Sequence, residues 1–502
     1  MSNAESAPPP AAPAETFDVV EEKFIAARRA HWDNVAANPP PDSWLRRNYH
    51  NFLAKTYRFL IPSGATVLEL GCGEGDLLAA LVSDSDFTGG GGQSVGVDLS
   101  PAMITRAQAK YPHLKFIAAD AHRLAAAFKE HAAPFDVIIL SDLVNDVYDL
   151  HEILAELPAF CSPDTRVILN FHNQLWEKPF NFLERWRRVT PRLRQNWFTP
   201  DDIANLAHLN GFESVRHFSG YLCPFNLPVI TPFFNRYLAH LFPFSAFNLA
   251  HFMVLRPVPT KRVERTVSIV IPARNEAGNI EAAILRTPNL GAGTELLFVE
   301  GNSTDDTWAV IQAMQKKYAD RDIKILRQDG KGKGDAVRKG FAAATGEVLM
   351  ILDADLTVPP EVLPQFYEAL ASGKAEFVNG VRLVYPQEKG AMRFANLCGN
   401  KFFSMAFSWL LERPIKDSLC GTKVLTRKNW ERLVANRGYF GDFDPFGDFD
   451  MLFGAAKLNL QIRDLPVRYR DRTYGETNIN RWRDGMYLLR MVIFAARRLK
   501  FV

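Results

Sequence analysis

The chain has 502 residues, 47% hydrophobic and 23% charged, more than one ordinary hydrophobic core organises, so two domains are expected. Its 59 Lys+Arg against 56 Asp+Glu leave a formal charge of +3, which argues against bulk binding of nucleic acid. Five scattered cysteines without a CxxC pair argue against a disulfide framework or a zinc knuckle and fit a reducing compartment.

The opening "MSNAESAPPPAAPAETF" is Pro/Ala-rich and lacks a basic n-region and an apolar h-region. It reads as a disordered leader, not a secretory signal, with an N-terminal helix completing residues 1–43. Strand and helix patterns then alternate: "ATVLEL" strand, "GDLLAALV" helix, "SVGVDL" strand, "PAMITRAQAKY" helix, and "LKFIAAD", "FDVIILS" and "DTRVILNF" strands. That rhythm predicts an α/β domain with a doubly wound parallel sheet over residues 44–257, to which "FNLAHFMVLRP" returns as a last strand. The apolar stretch Phe225–Phe252 is broken by prolines, Arg236 and histidines, so no transmembrane span is expected there.

The polar, basic "RPVPTKRVERT" (Arg256–Thr266) reads as a linker, 258–265, with the boundary near Lys261. A second α/β domain, 266–480, repeats the rhythm: "VSIVIP" strand, "NIEAAIL" helix, "TELLFVE" strand, "DTWAVIQAMQKKY" helix, "IKILRQ" strand, "GDAVRKGFAAA" helix and "EVLMILDAD" strand. Residues 481–502 form a basic amphipathic C-terminal helix.

In "VLELGCGEGDLLAAL" (Val67–Leu81), Gly71, Gly73 and Gly75 lie between a strand and a helix. Glycine lets the backbone turn tightly and a ligand approach closely. A dinucleotide turn has the same glycines, but Glu69 stands just before them, where a diphosphate is unwelcome and a cationic, phosphate-free ligand is better suited. Asp98 ends the next strand, at a spacing that suits both hydroxyls of a ribose, and Asp120 ends the third, where a carboxylate accepts from an adenine amine. In the plainer reading the glycines only turn the chain, most of all at Gly75. These residues resemble class I S-adenosylmethionine-dependent methyltransferases over about Trp44–Pro257. The resemblance implies that Glu69, Gly71 and Gly73 line the methionine side, Asp98 the ribose and Asp120 the adenine, with Asp142 grouped among the cofactor-side residues. Acceptor-side candidates are Asp142, Asn145 and His151 in "LSDLVNDVYDLHE", and His172 and Asn173 in "NFHNQLW".

In "GEVLMILDADLTVPPE" (Gly346–Glu361) an apolar run ends on Asp353 and Asp355. In an extended chain, residues i and i+2 share a face, so the two carboxylates converge beyond the strand's carboxyl end. Their repulsion is relieved by a hard divalent ion, Mg²⁺ or Mn²⁺, whose open positions take phosphate oxygens. A solvated turn is the plainer alternative. Lys331 and Lys333, in the glycine-rich "GKGKGDAVRKG", suit a phosphate-bearing ligand.

With "VSIVIPARNEAGNI" and "LFVEGNSTDDT", this order of motifs resembles the family 2 inverting glycosyltransferases of GT-A fold. "IKDSLCGTKVLTR" and "LPVRYRDRTYGETNI" resemble their polyprenyl-phosphate branch, the dolichyl-phosphate mannose synthase group. The resemblance implies that Pro272, Arg274, Asn275 and Glu276 border the nucleoside of a UDP- or GDP-linked sugar, Asp353 contacts the donor and Asp355 holds the metal. It also implies that Asp417 faces the acceptor near the anomeric carbon and that Arg472, Tyr474 and Gly475 close over phosphate. Lys423 and Arg427 add positive charge on the acceptor side or lie on a solvated face. Where the family carries two adjacent acids, this chain has Glu300 and Gly301, so one carboxylate is missing. Of Asp442, Asp444, Asp448 and Asp450, the last two are base candidates if the acceptor is a hydroxyl; a lipid phosphate, already ionised, hardly needs one.

Ala391–Asp417 and the terminal "RWRDGMYLLRMVIFAARRLKFV" mix aromatic and basic residues in a way that suits a membrane surface. The expectation is a bifunctional transferase, cytoplasmic and peripheral on the inner face of the membrane. It moves a sugar to a polyprenyl phosphate or related cell-envelope glycan and is fused to a methyltransferase. The alternative is a soluble polysaccharide transferase with a hydroxyl acceptor and a non-catalytic, docking methyltransferase-like half.

Overall fold

The computed structural model describes residues 17–40, 43–82, 94–128, 134–179, 182, 193–385, 394–437, 447–470, 472, 474 and 481–501. The leader through residue 16 lies outside them, as do Asp442, Asp444 and Gly475. By contacts the chain divides into two compact units. One comprises Met1–Lys55, Ser63–Ser162 and Ile168–Leu206; the other comprises Thr56–Pro62, Pro163–Val167 and Ala207–Val502.

The first sheet holds β1 (Val67–Leu70), β2 (Val95–Asp98), β3 (Lys115–Ala118), β4 (Phe135–Leu140), β5 (Cys161–His172), β6 (Phe212–Gly220) and β7 (Ala250–Pro257). Their order is β3-β2-β1-β4-β5-β7-β6. The β3-β2-β1-β4 portion is parallel, and β1 is buried throughout, its apolar residues interrupted only by Glu69. Strand order reverses at β1, so the cleft outside its carboxyl end is the place for a ligand. β6 and β7 pair antiparallel, so the sheet is mixed rather than wholly parallel. Helices α1 (Phe17–Ala37), α2 (Trp44–Leu60), α3 (Asp76–Val82) and α4 (Pro101–Lys110) belong to this half. Ser100 caps α4 by accepting from the Met103 N–H, and Pro101 fills the first turn, where a missing N–H costs nothing.

The second sheet holds β8 (Val267–Ala273), β9 (Thr294–Glu300), β10 (Asp322–Arg327), β11 (Val348–Ile351), β12 (Phe377–Val381), β13 (Lys423–Thr426) and β14 (Ile462–Pro466). The order is β10-β9-β8-β11-β13-β12-β14, with β13 antiparallel to both neighbours. β11 shows why the sequence builds it. Leu349 and Ile351 join a core with Phe341, Phe407 and Phe449, whereas Val348, Met350 and Leu352 join the opposite core with Ile284 and Phe366. An alternating backbone with apolar residues at every position buries both faces. The helices used below are α5 (Lys333–Ala343), α6 (Phe394–Leu411), α7 (Arg427–Ala435), α8 (Asp448–Lys457) and α9 (Arg481–Ala495). Among the described residues no helix is long and apolar enough to cross a membrane.

Candidate active sites

In the first unit, the chain leaves β1 through three glycines with left-handed backbone: φ is 75° at Gly71, 52° at Gly73 and 78° at Gly75. A Cβ at Gly75 would stand 2.6 Å from the Phe116 ring, so this glycine serves packing. At Gly73 a Cβ would meet nothing within 4 Å. Asp98 accepts from Gly73 N at 2.8 Å and from Ser100 N at 2.9 Å, which ties the turn to the end of β2. Each of its oxygens keeps capacity for a further donor.

Glu69 is only 2% exposed, and its Oε2 has no hydrogen-bond partner among the described residues. Burial raises its carboxyl well above the usual range, and Asp98 and Asp76 push the same way. A buried carboxylate oxygen without a donor is costly, and a cationic ammonium offsets that cost. The residues therefore fit the amino group of S-adenosylmethionine at this position.

Asp120 caps the turn at Ala121–Arg123 and pairs with His122 Nδ1 at 2.7 Å. Burial alone would lower the His122 pKa; the bond and charge of Asp120 outweigh it and raise it. His122 Nε2 accepts from Asp149 N at 3.2 Å, which places the neutral ring's proton on Nδ1, toward Asp120.

A pocket lined by Gly71, Asp98, Asp120 and His122 is walled by Phe24, Arg28 and Trp32 of α1. Arg28 Nε lies 3.2 Å from Asp146 Oδ1, and Trp32 Nε1 donates to Asp146 Oδ2 at 2.9 Å. The sequence reading assigned α1 no such part. Its one legible signal was Trp and Arg on an N-terminal helix.

Asp142, like Glu69 and Gly73, is not among the residues lining this pocket. At a left-handed φ of 53°, it accepts from Tyr49 Oη at 2.8 Å and Asn170 Nδ2 at 2.5 Å, and lies 3.8 Å from His172 Nε2. Asn145 is buried and braces this corner, accepting from His172 N at 2.9 Å and donating to Asn196 O at 2.7 Å. Asn173 caps a turn through Leu175 N, and His151 sits exposed on the helix Leu150–Glu156.

In the second unit, Asp353 and Asp355 do not share the extended backbone expected of them. β11 ends at Ile351, and the pair occupies a turn in which Leu356 N donates to Asp353 O at 3.1 Å. Each carboxylate already has a cation: Lys333 Nζ lies 2.5 Å from Asp353 Oδ1, and Arg472 Nη2 lies 2.6 Å from Asp355 Oδ2. Asp355 Oδ1 accepts from the Thr357 N–H and hydroxyl at 3.1 and 2.8 Å.

Arg472 Nη1 also reaches Glu276 Oε1 at 3.3 Å. Burial raises the Glu276 pKa, against the opposing effects of the Asn279 bond and the Arg472 charge. Tyr474 lies so close to Gly278 that a Cβ there would be 2.6 Å from its ring. Arg472 and Tyr474 thus reach the loop after β8.

Pro272 lies in β8, Arg274 is exposed, and Asn275, at φ 57°, accepts from Thr304 N at 2.8 Å. Glu300 is buried and accepts from Ser303 N at 2.5 Å. Lys331 is exposed in the loop leading to α5, whose N-terminal residue is Lys333.

Two hard carboxylates fit a divalent ion that takes its remaining ligands from phosphate and water. Among the described residues no cluster of three His, Cys, Asp or Glu side chains could hold a metal without a ligand's help.

Gly421 is a feature the sequence reading passed over. A Cβ there would stand 2.1 Å from both Asp353 Oδ2 and Lys333 Nζ, so only glycine lets the Asp417–Gly421 loop lie against that pair. Asp417 itself does not offer an acceptor-facing carboxylate. It is 1% exposed and accepts from Arg382 N, Nε and Nη2 at 3.0, 2.8 and 3.0 Å. Burial opposes its ionisation, but the Arg382 guanidinium more than compensates and holds its pKa below the usual range.

Lys423 is fully buried, with Nζ donating to Cys420 O at 2.6 Å, and Arg427 donates to Gly346 O at 3.0 Å; neither lies on a solvated face. Asp450, on α8, pairs with Arg437 at 3.1 Å in a cleft lined by α7 and α8 residues, none of them from the Asp353–Lys333 site. Asp448 opens α8.

The fold places two α/β domains in one chain, a methyltransferase-like sheet followed by a GT-A-like one. The comparisons agree. The model of a "Methyltransferase domain" family matches residues 44–217, and that of "Glycosyl transferase family 2" matches residues 268–431.

The chain is 39% identical over 110 residues to a dolichol-phosphate mannosyltransferase of Pyrococcus furiosus, covering 21% of this chain and 30% of that protein. It is 26% identical over 234 residues to the glycosyltransferase AglD of Haloferax volcanii, covering 46% and 36%. The chain thus spans only about a third of the length of these curated relatives. Among solved structures, glucosyl-3-phosphoglycerate synthase of Mycobacterium tuberculosis is similar at 20% identity and TM-score 0.35, covering 47% of this chain and 80% of that one.

Proposed function

We propose that the second domain transfers a sugar, with inversion, from a nucleotide sugar to a polyprenyl phosphate or related lipid-linked acceptor with the help of a divalent cation. The observation that carries this is the pairing of Asp353 with Lys333 and of Asp355 with Arg472. Two cations held on two carboxylates are groups that a donor's phosphates take over, Arg472 as a two-pronged partner and Lys333 as a point charge. When bound, a divalent cation supplies charge to offset that developing on the departing nucleoside diphosphate. Glu276, Asn275 and the Tyr474–Gly278 contact border the nucleoside, and Gly421 keeps the acceptor loop close to the donor. An ionised lipid phosphate attacks the anomeric carbon in line without a base, in keeping with Asp450 being engaged by Arg437.

The first domain binds S-adenosylmethionine, with Glu69 on the ammonium, Asp98 on the ribose, and Asp120 and α1 on the adenine side. Asp142, with Tyr49 and His172, is the group placed to take a proton from a hydroxyl acceptor. The enzyme works peripherally at the cytoplasmic face of a membrane. The test is incubation of the full chain with labelled nucleotide sugars and polyprenyl phosphate, with Mg²⁺ or with chelator, followed by mass analysis of the lipid. A sugar-phospholipid formed only with the cation supports the reading; a product formed equally in chelator contradicts it.

A further inference from the structure

From residue 217 to residue 255 the chain has no Asp, Glu or Lys and a single Arg, Arg236. Such a stretch is ordinarily buried, yet the connection between β6 and β7 presents it outward. Phe242 is 89% exposed and Val229 81%, and Phe225, Phe233 and Phe247 are each at least half exposed. An exposed apolar patch of this size marks an interaction surface.

The protrusion is built rather than frayed. Asn235 brackets Cys223, accepting from its N–H at 2.7 Å and donating to its carbonyl at 2.8 Å. Asn248 donates to Ala239 O at 2.8 Å and Ser219 Oγ at 2.9 Å. Val229 is held at φ 67°, a left-handed conformation that a β-branched residue rarely adopts. Its carbonyl accepts from Phe233 N at 3.1 Å, and its apolar side chain stands at the tip.

The same surface continues onto two other elements of this unit. Trp409 Nε1 on α6 donates to His240 O at 3.0 Å. The Phe501 ring meets Tyr237 at 5.2 Å and Trp409 at 5.8 Å, and Arg236 Nε donates to Phe501 O at 3.0 Å. On α6, Phe402, Met405 and Trp409 are exposed at one-face spacing while Phe403, Phe407 and Leu410 are buried. On α9, Met486, Leu489 and Ile493 are exposed while Leu488 and Met491 are buried.

Charge selects the occupant. Residues 217–255, 394–411 and 485–502 contain no acid, although the chain has 56. Arg236, Lys401, Arg490, Arg497 and Arg498 are all exposed. A second copy of the chain would set these cations against their own kind. An anionic bilayer complements both features, because head groups meet the arginines while Phe, Val and Trp enter the interface. No described helix crosses a membrane, so contact is in the interfacial plane.

We propose that the connection Phe225–Phe247, continued by the exposed faces of α6 and α9, is a docking surface for an anionic lipid bilayer. It deepens the lipid-acceptor reading and rests on it for purpose, but not for evidence. The test is sedimentation of the full chain with vesicles of phosphatidylcholine alone, or with about 30% phosphatidylglycerol, both free of polyprenyl phosphate. The wild-type chain should pellet with the anionic vesicles and less with the neutral ones. A Val229→Glu/Phe242→Glu chain should lose at least about tenfold in partitioning while keeping its far-ultraviolet spectrum and melting temperature. An Arg236→Gln/Arg490→Gln chain should lose only the anionic preference.

A wild-type chain that stays in the supernatant with both vesicles overturns the proposal, as does a Glu-substituted chain that pellets like wild type. A wild-type dimer by light scattering that the Glu pair converts to a monomer assigns the face to a second copy and overturns it equally. Sugar transfer to detergent-dispersed polyprenyl phosphate separates the two readings. If the Glu pair transfers normally but does not pellet, both stand. If neither chain transfers but the wild type pellets, only the acceptor reading fails.

Discussion

Replacing Glu69 with glutamine isolates the charge that the cofactor site lacks a partner for. The carboxylate is 2% exposed, with Oε2 unpartnered among the described residues and a pKa raised by burial. A charge-assisted hydrogen bond from the ammonium of S-adenosylmethionine is worth roughly 1.5–3 kcal/mol, so Glu69→Gln should weaken binding about ten- to hundredfold.

The linkage has a definite sign. A carboxyl whose pKa is raised by folding contributes stability that is full below its unfolded pKa and is lost as pH rises through the folded pKa. The ligand-free wild type should therefore lose stability with rising pH through that range, and Glu69→Gln should remove that part of the slope. Cofactor affinity should rise over the same interval, because binding requires the ionised form. Calorimetric titration of S-adenosylmethionine at several pH values reads both effects. A glutamine variant within twofold of wild type at every pH would refute the assignment.

Asp417→Asn takes the buried carboxylate away from the Arg382 guanidinium and should destabilise the chain by about 3–5 kcal/mol in urea melts, with partial recovery in Asp417→Asn/Arg382→Met. Because the Asp417 pKa is lowered, its contribution is full above the unfolded value and is lost as pH falls through the folded one, so wild type and Asp417→Asn should converge in acid. Gly421→Ala puts a methyl within 2.1 Å of Asp353 Oδ2 and Lys333 Nζ; nucleotide-sugar binding, read by calorimetry, should fall at least about tenfold with little change in melting temperature. Trp32→Phe removes the bond to Asp146 that helps hold α1 over the cofactor pocket and should weaken S-adenosylmethionine binding severalfold, by roughly 1 kcal/mol, without altering nucleotide-sugar binding.

The core strands were legible because β1, β4, β8, β9 and β11 are predominantly apolar and bounded by turn residues, and each was expected close to where it lies. β6, β12, β13 and β14 were not. Of these, β12 carries Asn379 and Gly380, and β13 carries a buried lysine whose charge is satisfied by backbone and amide oxygens. Such strands lack an apolar pattern, and without them the antiparallel closure of both sheets could not be foreseen.

Glu69, Asp98, Asp353 and Asp355 stand out in sequence as candidates because they are carboxylates at or near strand ends. That Lys333 and Arg472 pair with the latter two depends on residues twenty and more than a hundred positions away, beyond what local pattern carries. The same limit explains Asp417: a motif aspartate looks the same whether it faces a ligand or a buried arginine.

The most direct test is Asp355→Asn, assayed for transfer of labelled sugar to polyprenyl phosphate over a Mg²⁺ series beginning in chelator. The account predicts wild-type turnover that rises with Mg²⁺ and a variant that stays at least about a hundredfold lower at every concentration, with unchanged S-adenosylmethionine binding. Wild-type turnover in chelator, or an asparagine variant matching wild type, would contradict it.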